Sequence, residues 1–274
     1  MHIWRKQASA DWVRGRLEEL RGRFGPALAI IESAGKARSL VEVATTKKQG
    51  RNLVREFGGK IEALPSNWLQ QLTRQNRTRP ISIGSRLRVT QTGEPRSERE
   101  ICIPAEAAFG TGEHATTAMC LRILERVTRG REPGWTMLDA GTGSGILAIA
   151  ASRFGAKDVI AIDNDPRACA TAKRNARVNG ARQIEFQTGD VLKQNSGGKF
   201  DVITGNLFAD ILIDALPRWR GQLAANGCLI VSGILRSQEN AVVTALRRNG
   251  FVPDEIRRRG KWVAVLASPA RKKS

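Results

Sequence analysis

The chain has 274 residues, 41% hydrophobic and 26% charged, a composition typical of a folded protein with a sizeable core. It has no apolar run near the roughly 18 residues of a membrane span, no signal-peptide stretch at its start, and four cysteines without the spacing of a zinc site or a disulfide framework. We therefore expect a cytoplasmic protein without a metal or a membrane anchor. The 45 Lys and Arg outnumber 26 Asp and Glu, and the net charge of +19 favours acidic partners such as nucleic acid, although an arginine-rich proteome would give the same excess.

Residues 1–65 predict a small α+β domain. A short strand at 3–4 precedes a helix over 11–24, whose apolar residues recur at helical spacing. Two strands follow at 27–31 and 39–44, joined by a turn at 34–36, and then a helix at 49–57 and a strand at 60–64. The order βαββαβ is that of a ferredoxin-like unit.

Residues 66–104 predict a connector with a helix at 67–75 and a strand at 85–90. Over 105–268, strands alternate with helices, which indicates a mostly parallel, Rossmann-like sheet, and 269–274 form a tail. The seven predicted strands are 136–140, 158–163, 183–188, 201–206, 228–232, 251–256 and 263–267. The last two are close enough in sequence to form an antiparallel hairpin.

A glycine-rich turn, LDAGTGSGIL over 138–147, connects the first of these strands to a helix. Gly141 and Gly143 allow the backbone to approach a ligand where a Cβ would intrude. The spacing is GxGxG rather than the GxGxxG of dinucleotide sites, and no GK[ST] follows as in a P-loop. The turn instead resembles motif I of the S-adenosylmethionine-dependent methyltransferases, which implies S-adenosylmethionine as the cofactor.

Acidic residues follow the next two strands. Asp163 could accept hydrogen bonds from a ribose diol, or it could cap the next helix, a role for which Asp165 is better placed because Pro166 follows it. Asp190 could lie near an adenine amine, although Asp ends many strands.

The fourth strand ends at Asn206, on the edge of the sheet that would face a transferred methyl group. Its amide oxygen could accept a hydrogen bond from an incoming amine and align the amine lone pair. The alternative is that Asn206 caps the helix predicted from 209.

Residues 108–117, AFGTGEHATT, resemble the signature of the bacterial methyltransferases that modify protein eleven of the large ribosomal subunit. The resemblance continues through 139–149, 155–166, 206–209 and 232–235, and so covers nearly all of 104–268. It implies that four residues contact S-adenosylmethionine: Thr117, Gly141, Asp163 and Asn206. Gly143 lies in the same loop as Gly141 and is expected to contact the cofactor as well. Asn206 is also the expected catalytic residue. His114 has either a structural role in its loop or one near the reacting amine.

The resemblance implies methylation of lysine and N-terminal amines of that ribosomal protein, with residues 1–65 recognising the substrate. The positive charge suggests a transient contact with ribosomal RNA as well. Two enzymatic alternatives remain: methylation of another protein lysine, or of RNA, for which the chain lacks the N/D-P-P-Y/F motif of base methylation at Asn206. A non-enzymatic alternative is an RNA-binding assembly factor with a vestigial cofactor site.

Overall fold

The computed structural model describes residues 2–31, 38–63, 80–104, 112, 114–194 and 197–270. The chain divides into two compact units, Met1–Asn76 and Arg77–Ser274. The predicted turn at 34–36, the helix at 67–75 and most of the tail lie outside the described residues.

The first unit contains a four-stranded antiparallel sheet in the order β2-β3-β1-β4. Its strands are β1 (His2–Ser9), β2 (Leu28–Ile31), β3 (Arg38–Thr45) and β4 (Lys60–Ala63). With the helices α1 (Ala10–Arg14), α2 (Leu17–Phe24) and α3 (Lys47–Phe57), they give the small α+β domain that the sequence predicts.

The single helix predicted over 11–24 is wrong, because the structure has two helices there. The first ends at Arg14 and is capped by Gly15, whose N–H donates to the carbonyl of Asp11, while the N–H of Arg16 donates to the carbonyl of Val13. The second begins at Leu17. Both helices bury apolar side chains against the sheet, around the fully buried Trp4 and Leu20. The helical spacing of apolar residues therefore continues across the break, which explains why the pattern alone suggests one helix.

The second unit begins with a three-stranded sheet of β5 (Ile81–Ile83), β6 (Leu87–Thr90) and β7 (Glu100–Cys102). The sequence predicted one strand here, at 85–90. Ile83 and Ile101 are fully buried and pack in the same core as helix α4 (Ala115–Val127). These residues therefore contribute to the core of the second unit.

The main sheet has seven strands in the order β10-β9-β8-β11-β12-β14-β13, parallel except for β14, which is antiparallel to both of its neighbours. The strands are β8 (Trp135–Ala140), β9 (Ala156–Asp163), β10 (Ile184–Thr188), β11 (Phe200–Asn206), β12 (Leu223–Leu235), β13 (Phe251–Arg259) and β14 (Trp262–Pro269). Four further helices follow strands of this sheet: α5 (Ile146–Arg153), α6 (Pro166–Val178), α7 (Ala209–Gln222) and α8 (Glu239–Arg248). The predicted Rossmann-like fold and the terminal hairpin are confirmed.

Both faces of this sheet are covered. Successive residues of β11, Val202 and Ile203, are fully buried in different apolar clusters, because side chains alternate along a strand. The strand order reverses between β8 and β11, so the chain leaves these two neighbouring strands in different directions and opens a crevice at their carboxyl ends. No helix in the described part of the chain is long and apolar enough to cross a membrane.

Candidate active site

A cavity of about 240 Å³ lies at the carboxyl ends of β8, β9 and β11. The five residues that the family resemblance suggests for cofactor contact line it, and they come from four separate segments of the chain: Thr117, Gly141, Gly143, Asp163 and Asn206. Asp190, suggested for the adenine amine, lines it too. The structure therefore brings the predicted site residues together. The remaining lining residues are Thr142, Ile146, Leu147, Asn164, Asp190, Val191, Leu192, Leu207 and Ile211.

The glycine loop bends sharply between β8 and α5. Gly141, Gly143 and Gly145 have φ of 74°, 53° and 82°, in the left-handed region that other residues rarely adopt. The N–H groups of Gly141 and Thr142 both donate to the carbonyl of Ile162 on β9, at 2.8 and 2.9 Å. A Cβ on Gly141 would lie only 2.3 Å from Cδ2 of Leu207, so the loop packs against the far wall of the cavity with no spare room.

Asp163 ends β9 and connects two loops. One carboxylate oxygen accepts the N–H of Gly143 at 2.9 Å, and the other accepts the N–H of Asp165 at 3.0 Å. Each carboxylate oxygen has about two acceptor positions, so both retain capacity toward the cavity. Asp165 caps α6 by accepting the N–H of Arg167 at 2.9 Å, and its pKa is lowered by the hydrogen bond from the Arg167 side chain. The helix-capping alternative therefore belongs to Asp165.

Asn206 and Thr117 meet across the cavity, although 89 positions separate them in sequence. The amide Nδ2 of Asn206 donates to Oγ1 of Thr117 at 3.3 Å, and Thr117, on α4, is 1% exposed. The amide oxygen Oδ1 of Asn206 is buried and has no hydrogen-bond partner among the described residues. Asn206 does not cap α7, because the N-cap position is Phe208 and that cap has no side-chain hydrogen bond.

Asp139 is a buried acidic residue that the sequence analysis did not single out. It lies under the glycine loop and accepts hydrogen bonds from the hydroxyls of Thr142, at 2.7 Å, and Thr204, at 2.6 Å. Burial raises the pKa of this carboxyl, and these hydrogen bonds oppose the rise. Its position at the start of the D-x-G-x-G-x-G turn is the feature of the sequence that could have identified it. Its hydrogen bonds to Thr142 and Thr204 indicate that it holds the glycine loop in place.

His114 stands at the N-terminus of α4 but is not one of the residues that line the cavity. Its Nδ1 is 2.7 Å from Oγ1 of Thr116, and its ring packs edge-on against Trp262 with the ring centres 5.0 Å apart. These contacts match the structural alternative for His114. Residues 105–111 and 113, which hold most of the signature preceding α4, lie outside the described residues.

The charged side chains of the cavity are acidic, although the chain carries a net charge of +19. Asp163 and Asp190 contribute carboxylates, and no Lys or Arg occurs among the described lining residues. Asp190 also accepts the N–H of Leu192 at 2.9 Å and lies 3.6 Å from the exposed Nζ of Lys193. Such a site favours a ligand with hydroxyl, amine or cationic groups over one with phosphates.

A sequence model described as Ribosomal protein L11 methyltransferase (PrmA) matches residues 26–269. The chain belongs to this family. Named members with similar sequences are the ribosomal protein L11 methyltransferases of Pelotomaculum thermopropionicum, 41% identical over 194 residues, and Symbiobacterium thermophilum, 40% identical over 193 residues. Each match covers 69% of this chain but only 62% of the relative, so the chain matches less than two thirds of these proteins.

Among solved structures, a ribosomal protein L11 methylase from Lactobacillus delbrueckii subsp. bulgaricus superposes with a TM-score of 0.63 and 34% identity. That match covers 70% of this chain and 99% of the other. An S-adenosylmethionine-dependent methyltransferase from Clostridium acetobutylicum superposes with a TM-score of 0.50 at 13% identity, over 58% of this chain and 94% of the other, and shows a shared fold. The family predicted from the sequence is confirmed.

Proposed function

We propose that the chain is an S-adenosylmethionine-dependent protein N-methyltransferase that methylates lysine and N-terminal amines of ribosomal protein L11. The observation that carries the proposal is the buried Oδ1 of Asn206, which has no hydrogen-bond partner among the described residues and belongs to a residue that lines the same cavity as the glycine loop and Asp163. A buried acceptor without a partner is unfavourable by about 1–3 kcal/mol, so its retention points to a donor that arrives with a ligand.

The residues present fit the proposed cofactor. The carboxylate of Asp163 has acceptor capacity for ribose hydroxyls, and the φ-positive Gly141 and Gly143 expose backbone rather than side chain to the cavity. The carboxylates of Asp163 and Asp190 suit a cationic sulfonium, and the absence of Lys and Arg from the described lining suits a cofactor without phosphates. We propose Thr117, Gly141, Gly143, Asp163 and Asn206 as the cofactor-binding residues.

When bound, S-adenosylmethionine supplies a methyl group activated by the sulfonium. The work left to the protein is to align an amine with that group and to exclude water. The acceptor must be a neutral amine, whereas a free lysine has a pKa of about 10.4 and an α-amine about 7.7–8.0. Burial in the cavity disfavours the ammonium form and so lowers the pKa of the incoming amine.

Asn206 is the proposed catalytic residue. Its Oδ1 would accept one N–H of the amine and leave the lone pair free to attack. Because an amide is uncharged, Asn206 orients the amine without the strong stabilisation of the ammonium form that a carboxylate would provide. The hydrogen bond from Nδ2 to Thr117 uses a donor of the amide and leaves the acceptor Oδ1 for the incoming amine.

The choice of substrate rests on the family and on the names of the relatives. The first unit, with its own sheet and core, is the proposed substrate-recognition domain, and we expect the enzyme to act in the cytoplasm, where its ribosomal substrate is made. The second candidate is methylation of RNA or transient binding to ribosomal RNA, which the net charge of +19 favours.

The test is intact mass spectrometry of purified ribosomal protein L11 after incubation with the enzyme and S-adenosylmethionine. We expect a ladder of methyl increments with the wild type, and a loss of at least about 100-fold in rate with Asn206→Ala, since a group that aligns the reacting amine is removed. Calorimetry with S-adenosylhomocysteine monitors the cofactor site separately. Wild-type turnover by folded Asn206→Ala would contradict the catalytic role. Cofactor binding without any increment would contradict the substrate and direct the search to RNA.

A further inference from the structure

Phe208 is an exposed aromatic residue two positions after Asn206. Its side chain is 72% exposed, more than any other large apolar side chain in the described part of the chain. It follows directly after Asn206 and Leu207, both of which line the cavity. Burying a Phe side chain is worth about 1.5–3 kcal/mol, so this ring contributes little of that stabilisation to the fold.

The backbone around Phe208 is firmly held. The N–H of Leu207 donates to the carbonyl of Ser232 at 3.1 Å, and the carbonyl of Phe208 accepts the N–H of Leu212 at 3.0 Å in the first turn of α7. Gly233, at an irregularity in β12, packs so closely that a Cβ there would lie 2.2 Å from the carbonyl oxygen of Leu207. The main chain therefore holds Phe208 at a fixed place, two residues after Asn206, with its side chain exposed to solvent.

From this placement we infer that Phe208 is a substrate-contacting residue that determines specificity for lysine side chains. The inference rests on the proposed function. An amine bound at Oδ1 of Asn206 must carry its attached chain out of the cavity past the residues at its edge. A lysine side chain has four methylenes, which can pack on the exposed ring, and burial of these two apolar surfaces strengthens binding.

An N-terminal α-amine differs at this point, because no methylene stem separates it from the polypeptide backbone. Packing on Phe208 should therefore favour lysine amines over the α-amine of the same substrate. A residue that merely stabilised the fold would weaken both reactions equally. The ratio of lysine methylation to N-terminal methylation therefore distinguishes a role of Phe208 in substrate recognition from a role in stabilising the fold.

The experiment compares Phe208→Ala, Phe208→Leu and Phe208→Tyr with the wild type, using purified ribosomal protein L11 as the probe. Val252→Ala is the matched control, because Val252 is an exposed apolar residue, at 46%, on the outermost strand β13 and outside the cavity lining. Peptide mass spectrometry follows methylation of each lysine and of the N-terminus separately. Thermal unfolding and calorimetry with S-adenosylhomocysteine are measured for every variant.

For Phe208→Ala we expect about a ten-fold rise in KM for lysine methylation with a smaller change in kcat, and N-terminal methylation near the wild-type level. Phe208→Tyr should retain lysine methylation, and Phe208→Leu should be intermediate. Tm and cofactor affinity should match the wild type, as for Val252→Ala.

An unchanged lysine-to-N-terminus ratio in Phe208→Ala would overturn the inference while leaving the proposed function intact. A fall in Tm or in cofactor affinity that accounts for the lost activity would assign Phe208 a structural role and overturn it too. If the wild-type enzyme binds cofactor but does not methylate ribosomal protein L11, the proposed substrate is refuted, and with it the inferred contact between Phe208 and that substrate.

Discussion

Replacement of Gly141 by alanine should damage both stability and cofactor binding. At φ of +74° a residue with a Cβ is destabilised by about 1–2 kcal/mol. The new Cβ would also lie 2.3 Å from Cδ2 of Leu207, whereas non-bonded carbons pack at about 3.5–4.0 Å. Leu207 must therefore move by more than about 1 Å, and overpacking of this kind adds about 1–3 kcal/mol. The total of about 2–5 kcal/mol corresponds to a fall in Tm on the order of 10 °C.

The binding effect follows from the position of Leu207 in the cavity wall. If its side chain turns into the cavity, a bound ligand must displace it again. The overpacking energy of about 1–3 kcal/mol is then subtracted from the binding free energy, so the Kd for S-adenosylhomocysteine measured by calorimetry should be about 5–150-fold weaker. Gly180→Ala is the control, since Gly180 has φ of +63° with nothing within 4 Å of its added Cβ. It should lower Tm by the backbone contribution alone and leave Kd unchanged.

A double variant tests the collision directly. Adding Leu207→Ala to Gly141→Ala removes the side chain that the new Cβ meets, so the affinity should recover relative to Gly141→Ala alone. Equal Tm values for Gly141→Ala and Gly180→Ala, with unchanged Kd in both, would refute the reasoning.

Two further predictions concern thiol reactivity and pH. The four cysteines are buried and unpaired, and burial raises the pKa of Cys120 to about 12 and of Cys228 to about 11. A thiol reagent at neutral pH should therefore label the native protein far more slowly than the protein unfolded in guanidinium, and rapid labelling of native protein would contradict the burial. The hydrogen bond from Arg258 lowers the pKa of Glu239 from its ordinary value of 4.5, so this pair stabilises the fold above that pH and loses its effect as the pH falls through the lowered pKa. The stability difference between wild type and Glu239→Gln, measured by denaturant unfolding, should shrink as the pH drops below about 4.5; a constant difference would show that the charge has no part in it.

The fold was predictable where elements are long and their apolar residues periodic. The alternation of strands and helices over 105–268 indicated the Rossmann-like sheet, and all seven strands are present. The three-residue strands β5 and β7 were missed, because such short segments show no measurable period. Strand β12 runs from Leu223 to Leu235, well beyond the predicted 228–232, since the segment AANG near its start and an irregularity at Gly233 conceal its ends.

The site was predictable in its local motifs and not in its long-range contacts. The glycine turn and Asp163 follow directly from the ends of two predicted strands. Thr117 became a candidate only through the family resemblance, because nothing in the sequence around α4 shows that it meets Asn206 from 89 positions away. That Asn206 does not cap α7, and that its Oδ1 has no hydrogen-bond partner among the described residues, are properties of the folded chain that the sequence cannot show; they support the proposal that Asn206 binds the amine.

The net charge of the chain favours an acidic ligand such as RNA, whereas the charges of the cavity favour a cationic one. The distance between a ligand and each charged group determines which of the two it senses. Charges separated by more than about 8 Å are largely screened at physiological ionic strength. A molecule in the cavity therefore responds mainly to the carboxylates of Asp163 and Asp190 and to the amide of Asn206. The excess of Lys and Arg affects which macromolecules approach the surface, and how strongly salt weakens that approach. The acidic cavity inside a basic chain thus supports the sulfonium cofactor more directly than the total charge supports RNA.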